Sequence, residues 1–259
     1  MAETSSVQSL DRAFDLLELL CRSRSGMTIG ALSAETGLHK STVHRLLSSM
    51  CRRGFVQRDA ATSIYRAGMH LCELSSYIVE NLDVVDLARA PLERLNEKTG
   101  ETVHLVMQEG CDIVYIHKVE NTTGAIRMFS RIGMRRPLYC TGVGKAILAT
   151  WPEDEVRALW RESEIRPWTV HTIVNEDAFL REMEQVRRKG YALDNEENEL
   201  GVRCIAAAVV DYRGRASYAI SVSAPISRMS DTRIAELRIP VLEVRDEVTA
   251  ALGGGVRRR

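Results

Sequence analysis

The sequence has no CxxC pair: its six cysteines, Cys21, Cys51, Cys72, Cys111, Cys140 and Cys204, are scattered singly along the chain. That spacing argues against a local metal site, and with no signal peptide at the N-terminus it leads us to expect a reduced, cytoplasmic protein. No apolar run approaches the ~20 residues that a membrane span needs, so no membrane partner is expected. Net charge is lacking as well, with 35 Lys and Arg against 35 Asp and Glu, so no overall field draws nucleic acid. A phosphate loop is missing too. Thr141-Gly142-Val143-Gly144-Lys145 invites that reading, but the pattern needs Gly at Tyr139 and Ser or Thr at Ala146, and a dinucleotide fingerprint needs Gly at Ile147. No cofactor and no enzyme chemistry follow from it.

What is present is an ordinary globular composition, 45% hydrophobic and 27% charged, over 259 residues. At roughly 100 to 200 residues per domain, that length suggests two domains. The balanced charge is unevenly spread: residues 1–70 hold nine Lys and Arg against six Asp and Glu, leaving about +3 there and about −3 in the rest.

The basic part contains the stretch Met27 to Arg58, in which two short helical patterns flank Gly37. In the second pattern Val43, Leu46, Leu47 and Met50 recur at helical spacing and should pack inward. Ser41, Arg45, Ser48 and Arg52 then project from the other face. Small hydroxyls keep that face slim while arginines reach phosphates or guanine edges, which suits a DNA major groove. Ile29, Leu32 and Ala34 make the preceding apolar helix. Phe55–Arg58 and Ser63–Arg66 read as two strands around an Asp59–Thr62 turn, with Arg58 and Arg66 placed for phosphates. Helix, turn, helix, hairpin is a winged helix-turn-helix. Thr28, Lys40, Thr42 and His44 complete the candidate DNA-binding set.

A first helix from near Ser6 to Arg22 should cover the motif with Leu10, Phe14, Leu17 and Cys21 on one stripe and Ala13, Leu16 and Leu20 beside it. Residues 68–82 read as an amphipathic connecting helix whose Leu74, Tyr77 and Ile78 are offered to another subunit. After a helix at Val84–Lys98 the period changes to that of strands, at Thr102–Met107, Ile113–Lys118 and Ala125–Phe129. Helices follow at Gly144–Thr150, Glu153–Arg161 and Asn175–Lys189, then strands at Cys204–Asp211 and Ser217–Ser223 and a long helix from about Ser230. The class is α+β, helices on one antiparallel sheet. The expected division is a DNA-binding domain at 1–67, a linker helix at 68–82 and an effector domain at 83–259.

Two stretches of the second domain bear on ligands. Gly142 and Gly144 open a helix whose free N–H groups suit a carboxylate-sized anion. The acidic run Asp194–Glu199 leads straight into a strand, where loops often line ligand sites. A rival reading assembles Cys140, Cys204, His104 and His117 into a cysteine-dependent enzyme or metal sensor, but no local spacing supports it.

Taken together, LHKSTVHRLL, RMFSRIGMRRPLYCTGVGKAIL and DNEENELGVRCIAAAV make the chain similar to the IclR family of bacterial transcription regulators, over about Val7 to Leu252. Within it, VYIHK and the DNEE…G…RCIA segment most resemble the ketodeoxygluconate-repressor (KdgR) branch. The resemblance implies a winged helix-turn-helix, a helical linker and a GAF-like domain binding small organic acids. Position by position it implies an effector site of Gly142, Val143, Asp194, Cys204, Ala206, Ser221 and Ser223. Ala206-Ala207-Ala208 departs from the sugar-acid branch, which has a Val-Pro pair after its Ala. The expected protein is an effector-responsive regulator, a repressor of a catabolic operon. Its partners are a double-stranded DNA operator, a small carboxylate such as ketodeoxygluconate or a related sugar acid, and its own copies in a dimer or tetramer.

Overall fold

The computed structural model describes residues 7–80, 83–120 and 129–255, and the chain divides into two compact units, Met1–Leu82 and Asp83–Arg259. In the first unit α1 (Gln8–Arg22), α2 (Ile29–Thr36) and α3 (Lys40–Arg52) precede a hairpin of β1 (Val56–Arg58) and β2 (Tyr65–Ala67), and α4 (His70–Glu80) follows. Thr28 starts α2 by accepting the Ala31 N–H on its hydroxyl at 3.2 Å, and Gly37 ends it with a left-handed φ of 69°. Three residues on, α3 begins. Leu16, Leu20, Leu32, Val43, Leu47, Val56 and Tyr65 form one buried cluster, so all three helices and both strands contribute to it.

Three expectations need correction here. On α1 the core takes the stripe of Leu16 and Leu20, while Leu10 and Phe14 remain 51% and 54% exposed and Cys21 lies at the surface. The two stripes are about 100° apart around the helix, and of the other stripe only Leu17 packs against the cluster. Ala34 of α2 is exposed as well. The hairpin strands are also shorter than their residue types suggest. Asp59 Oδ1 accepts the N–H groups of Ala61 and Thr62, and Ser63 takes a positive φ of 56°, so Ser63 and Ile64 belong to the turn. Phe55 lies before β1 and sets its ring edge-on to His70, with centroids 4.8 Å apart. Met27 and Tyr65 exchange two backbone hydrogen bonds, both 2.8 Å, which tie the hairpin to the residue before Thr28.

The second unit opens with α5 (Val84–Thr99), capped by Asp83 and closed by Gly100. Among the described residues its six strands pair antiparallel throughout, in the order β5-β4-β3-β8-β7-β6, with β3 Thr102–Glu109, β4 Asp112–Val119, β5 Arg135–Pro137, β6 Ala192–Asn195, β7 Val202–Val210 and β8 Ala216–Pro225. The period of two sorts the side chains: Val106, Ala206, Ala208 and Ala219 join the cluster made with α6 (Gly142–Leu148), α7 (Glu153–Glu162) and α8 (Glu176–Lys189). Helices α5 and α9 (Asp231–Ala251) pack on each other and on β3 and β7. Strands β5 and β6 were not expected, since each is too short to show an alternating pattern. Of the expected strand at 125–129, residues 125–128 lie outside the described residues, and Phe129 is in no strand.

Candidate DNA-binding surface and effector pocket

Helix α3 carries no acidic residue. Val43 and Leu47 are fully buried, and Ser41, His44, Arg45, Ser48 and Arg52 are exposed together with Lys40 at its start. Thr42 is half-buried. Two of these hydroxyls are partly occupied: Ser48 donates to the His44 carbonyl at 2.8 Å, and Ser41 lies 2.9 Å from His39 Nδ1. Thr28 is exposed but serves as the α2 cap. On the hairpin, Arg58 and Arg66 are exposed, and the Arg58 guanidinium donates to Ser63 Oγ at 3.1 Å and lies over the Tyr65 ring.

The second unit gathers its polar side chains in one cavity through the pairing of its strands. Asp194 of β6 faces Cys204 of β7, Cys204 faces Ser223 of β8, and in the next row Ser221 stands between Ala206 and His104 of β3. A cavity at this place is lined by Gly142, Val143, Asp194, Cys204, Ser221 and Ser223, six of the seven positions proposed from the sequence. Ala206 does not line it. It lies under the start of α6, where a Cβ on Gly142 would come within 3.4 Å of its own. Thr141 caps α6 by accepting the Gly144 N–H at 3.1 Å, leaving the Gly142 and Val143 N–H groups without an intrahelical acceptor. A side chain at Gly144 is excluded, because its Cβ would sit 2.1 Å from the Leu138 carbonyl oxygen.

Asn198 and Glu199 of the acidic run also line the cavity, as does His104, expected only in the rival cysteine site, whereas Tyr115, Ser130, Met134, Thr141 and Val202 were not among the expected effector positions. His104 is buried, with Nε2 2.7 Å from Ser130 Oγ and Nδ1 3.4 Å from both Ser221 and Ser223 Oγ. Burial, aided by the Lys118 charge, pushes its pKa down to about 3, so the ring is neutral and offers one donor and one acceptor. Its alternation with Val106 on β3 was visible, but what stands beside it on β8 was not.

Asp194 is 4% exposed, and its Oδ1 accepts the Glu197 N–H at 2.8 Å and the Asn198 N–H at 3.4 Å. Burial and the neighbouring Glu197 push its carboxyl up to about 7, against the lowering effect of Lys145. Behind it, the Lys145 ammonium is 1% exposed and bonded to Glu197 and, at 3.3 Å, to Glu182 of α8. Burial alone would lower Lys145, but these two carboxylates hold it above the ordinary lysine value.

Cys140 and Cys204 have thiols raised by burial, so neither offers a thiolate nucleophile at neutral pH. Among the described residues no group of three His, Cys, Asp or Glu could hold a metal ion, and no helix is long and apolar enough to cross a membrane.

Residues 9–60 match the IclR helix-turn-helix domain, and residues 76–250 match the family described as bacterial transcriptional regulator IclR C-terminal. The chain belongs to the IclR family. The DNA-binding transcriptional repressor YiaJ of Escherichia coli K12 is 37% identical over 96% of this chain and 89% of its own length. The transcriptional regulator KdgR of the same organism is 36% identical over 97% and 95%. The crystal structure of the Thermotoga maritima IclR covers 96% of this chain and 100% of its own at 32% identity, with a TM-score of 0.64. IclR proteins are transcriptional regulators, not enzymes, and this chain is a DNA-binding regulator with a C-terminal effector-binding domain. The cysteine-enzyme alternative is thereby set aside. YiaJ and KdgR differ from this chain to nearly the same degree, so overall likeness does not choose a branch.

Proposed function

We propose that this IclR regulator is a cytoplasmic homo-oligomeric repressor that releases its operator when a small hydroxy or keto carboxylic acid, such as ketodeoxygluconate, enters the cavity beside Asp194. The observation that carries this reading is the polar cluster of Asp194, Cys204 and Ser223 in one row and Ser221 beside neutral His104 in the next. Such a cluster offers hydroxyls, an imidazole and a carboxyl to the oxygens of a sugar acid. That YiaJ is named a repressor supports the sense of regulation. The domain limits 1–67, 68–82 and 83–259 belong to the same proposal. The acid must bind one arrangement of the DNA-binding domains better than another, since a ligand with equal affinity for both shifts nothing.

Calorimetry on the full chain with ketodeoxygluconate, pyruvate, glyoxylate and a hydroxylated aromatic acid tests the ligand. Ser221→Ala should weaken the sugar acid by about 1–3 kcal/mol, because His104 Nδ1 and the ligand lose a buried partner. Tight binding of the aromatic acid alone, untouched by Ser221→Ala, would overturn the assignment and leave DNA binding standing.

For the other partner, Arg45→Ala should cost about 1–3 kcal/mol on operator DNA if the guanidinium reads a guanine edge, with a smaller loss on random DNA. Gel shifts at fixed salt decide it. Equal binding of both DNAs before and after the change would take Arg45 out of the interface. Self-association is assigned to α4, where Leu74 and Tyr77 are 39% and 56% exposed. Leu74→Glu with Tyr77→Glu should yield monomers in sedimentation, because association would bury unpaired charge. A double variant that still associates at micromolar concentration places the contact elsewhere.

A further inference from the structure

We infer that the effector cavity takes up one proton with each anionic ligand, so that a ligand carboxylate binds against a neutral, protonated Asp194 and small monoanions are selected over dianions. The inference rests on the cavity's being the effector site. Among the described residues no Lys or Arg lines the cavity, whereas Asp194 and Glu199 do. Of the largely buried cations beside it, Lys145 is already committed to Glu197 and Glu182, and Lys118 to Glu120 and the Ser130 carbonyl. Leaving aside the exposed Glu199, the carboxyls of Asp194, Glu197 and Glu182 therefore share one ammonium before any ligand arrives, and a ligand carboxylate makes four. Like charges brought together out of water cannot all stay ionised.

The proton can settle on few groups. Glu199 is exposed, so water already solvates its charge, and Glu197 is tied to Lys145 through one oxygen. His104 is buried near the Lys118 charge, which opposes a second cation there. The Cys204 thiol and Tyr115 phenol keep their protons and change nothing. Asp194 remains. Its Oδ1 is used by two backbone N–H groups, and the residue borders the cavity, so its other oxygen can carry a proton and donate it to an arriving carboxylate. Its carboxyl already titrates close to neutrality, so a small added repulsion suffices. The proton comes from solvent, and the product is one hydrogen-bonded acid–carboxylate pair of net charge −1. A dianion brings a second charge for which the described lining has no partner.

The sign is fixed by linkage. Well below the free site's titration Asp194 is protonated already, and binding is independent of pH. Above it each ligand must recruit a proton, so Kd should rise toward tenfold per pH unit. Titration calorimetry of the full chain with ketodeoxygluconate and pyruvate, at pH 5.5 and 8.5 in phosphate and in Tris, counts protons from the dependence on buffer ionisation heat. Nearly one proton taken up at pH 8.5, almost none at pH 5.5, and a flat profile for Asp194→Asn are expected. Oxaloacetate, a dianion, should bind more weakly than pyruvate. No uptake at pH 8.5, or the same uptake in Asp194→Asn, would overturn the inference. Carbon-13 NMR of aspartate carboxyls in the free protein tests the same point without any ligand. The resonance absent from Asp194→Asn should titrate near neutrality, and a midpoint below pH 5 would sink the inference even if both acids bind. If neither acid binds while that resonance titrates near neutrality, the sugar-acid reading fails and the proton reading survives.

Discussion

Lys145→Met should destabilise the C-terminal unit by about 3–5 kcal/mol, the usual cost of leaving a buried charge without its partner. Glu197 is 5% exposed, and its Oε2 is buried with no hydrogen bond, so the ammonium on its other oxygen is its chief compensation. Glu182, a quarter exposed, can turn to water and should lose little. In a unit of this size a loss of that order lowers the melting temperature by roughly 10 °C. Adding Glu197→Gln to Lys145→Met should restore most of it, because the pair then leaves as two neutral groups. A single variant that melts within a degree or two of the wild type would mean that water reaches Glu197.

In the DNA-binding unit the largest loss is expected from Leu47→Ala. Leu47 is fully buried, in one cluster with Leu16, Leu20, Leu32 and Val43, so truncation opens a cavity where α1, α2 and α3 meet, at a cost of about 2–5 kcal/mol. A unit of some 80 residues has only about 4–12 kcal/mol in total. The head should therefore melt early and lose operator binding at 37 °C while calorimetry still detects effector binding. Retained operator affinity at that temperature would show that α3 is held by something other than this cluster.

What could be read from the sequence divides by the distance over which the cause acts. Helix α3 was legible because Val43 and Leu47 are one turn apart and the period that buries them also exposes Arg45 and Ser48. The cap at Thr28 and the stop at Gly37 are equally local, though Thr28 was taken only for a DNA contact. On α1 two stripes were visible and the sequence could not say which the core would take, because that depends on α2, α3 and the hairpin. Strand β6 was hidden in an acidic run, since four residues with two inward positions show no period. His104 and Lys145 needed more: the first becomes a cavity residue only beside Ser221, 117 residues later, and the second finds Glu197 52 residues on. For Gly142, Val143, Asp194, Cys204, Ser221 and Ser223 it was the family likeness, not periodicity, that proposed them together.

The row Asp194, Cys204, Ser223 has a consequence for how the protein fails. Side chains alternate between the two faces of the sheet, so slipping β7 by one residue would send Cys204 toward α9 and bring Arg203 or Ile205 to the ligand side. The receptor and the correct assembly of the sheet are thus the same event: a chain that mispairs here loses its sense of the ligand before it loses its shape. Cells would then hold a repressor that still grips DNA and cannot be told to let go. Insertions of a single residue within β6, β7 or β8 should give that constitutively silent phenotype, whereas insertions in the Asp211–Arg215 turn, beyond the row, should be tolerated.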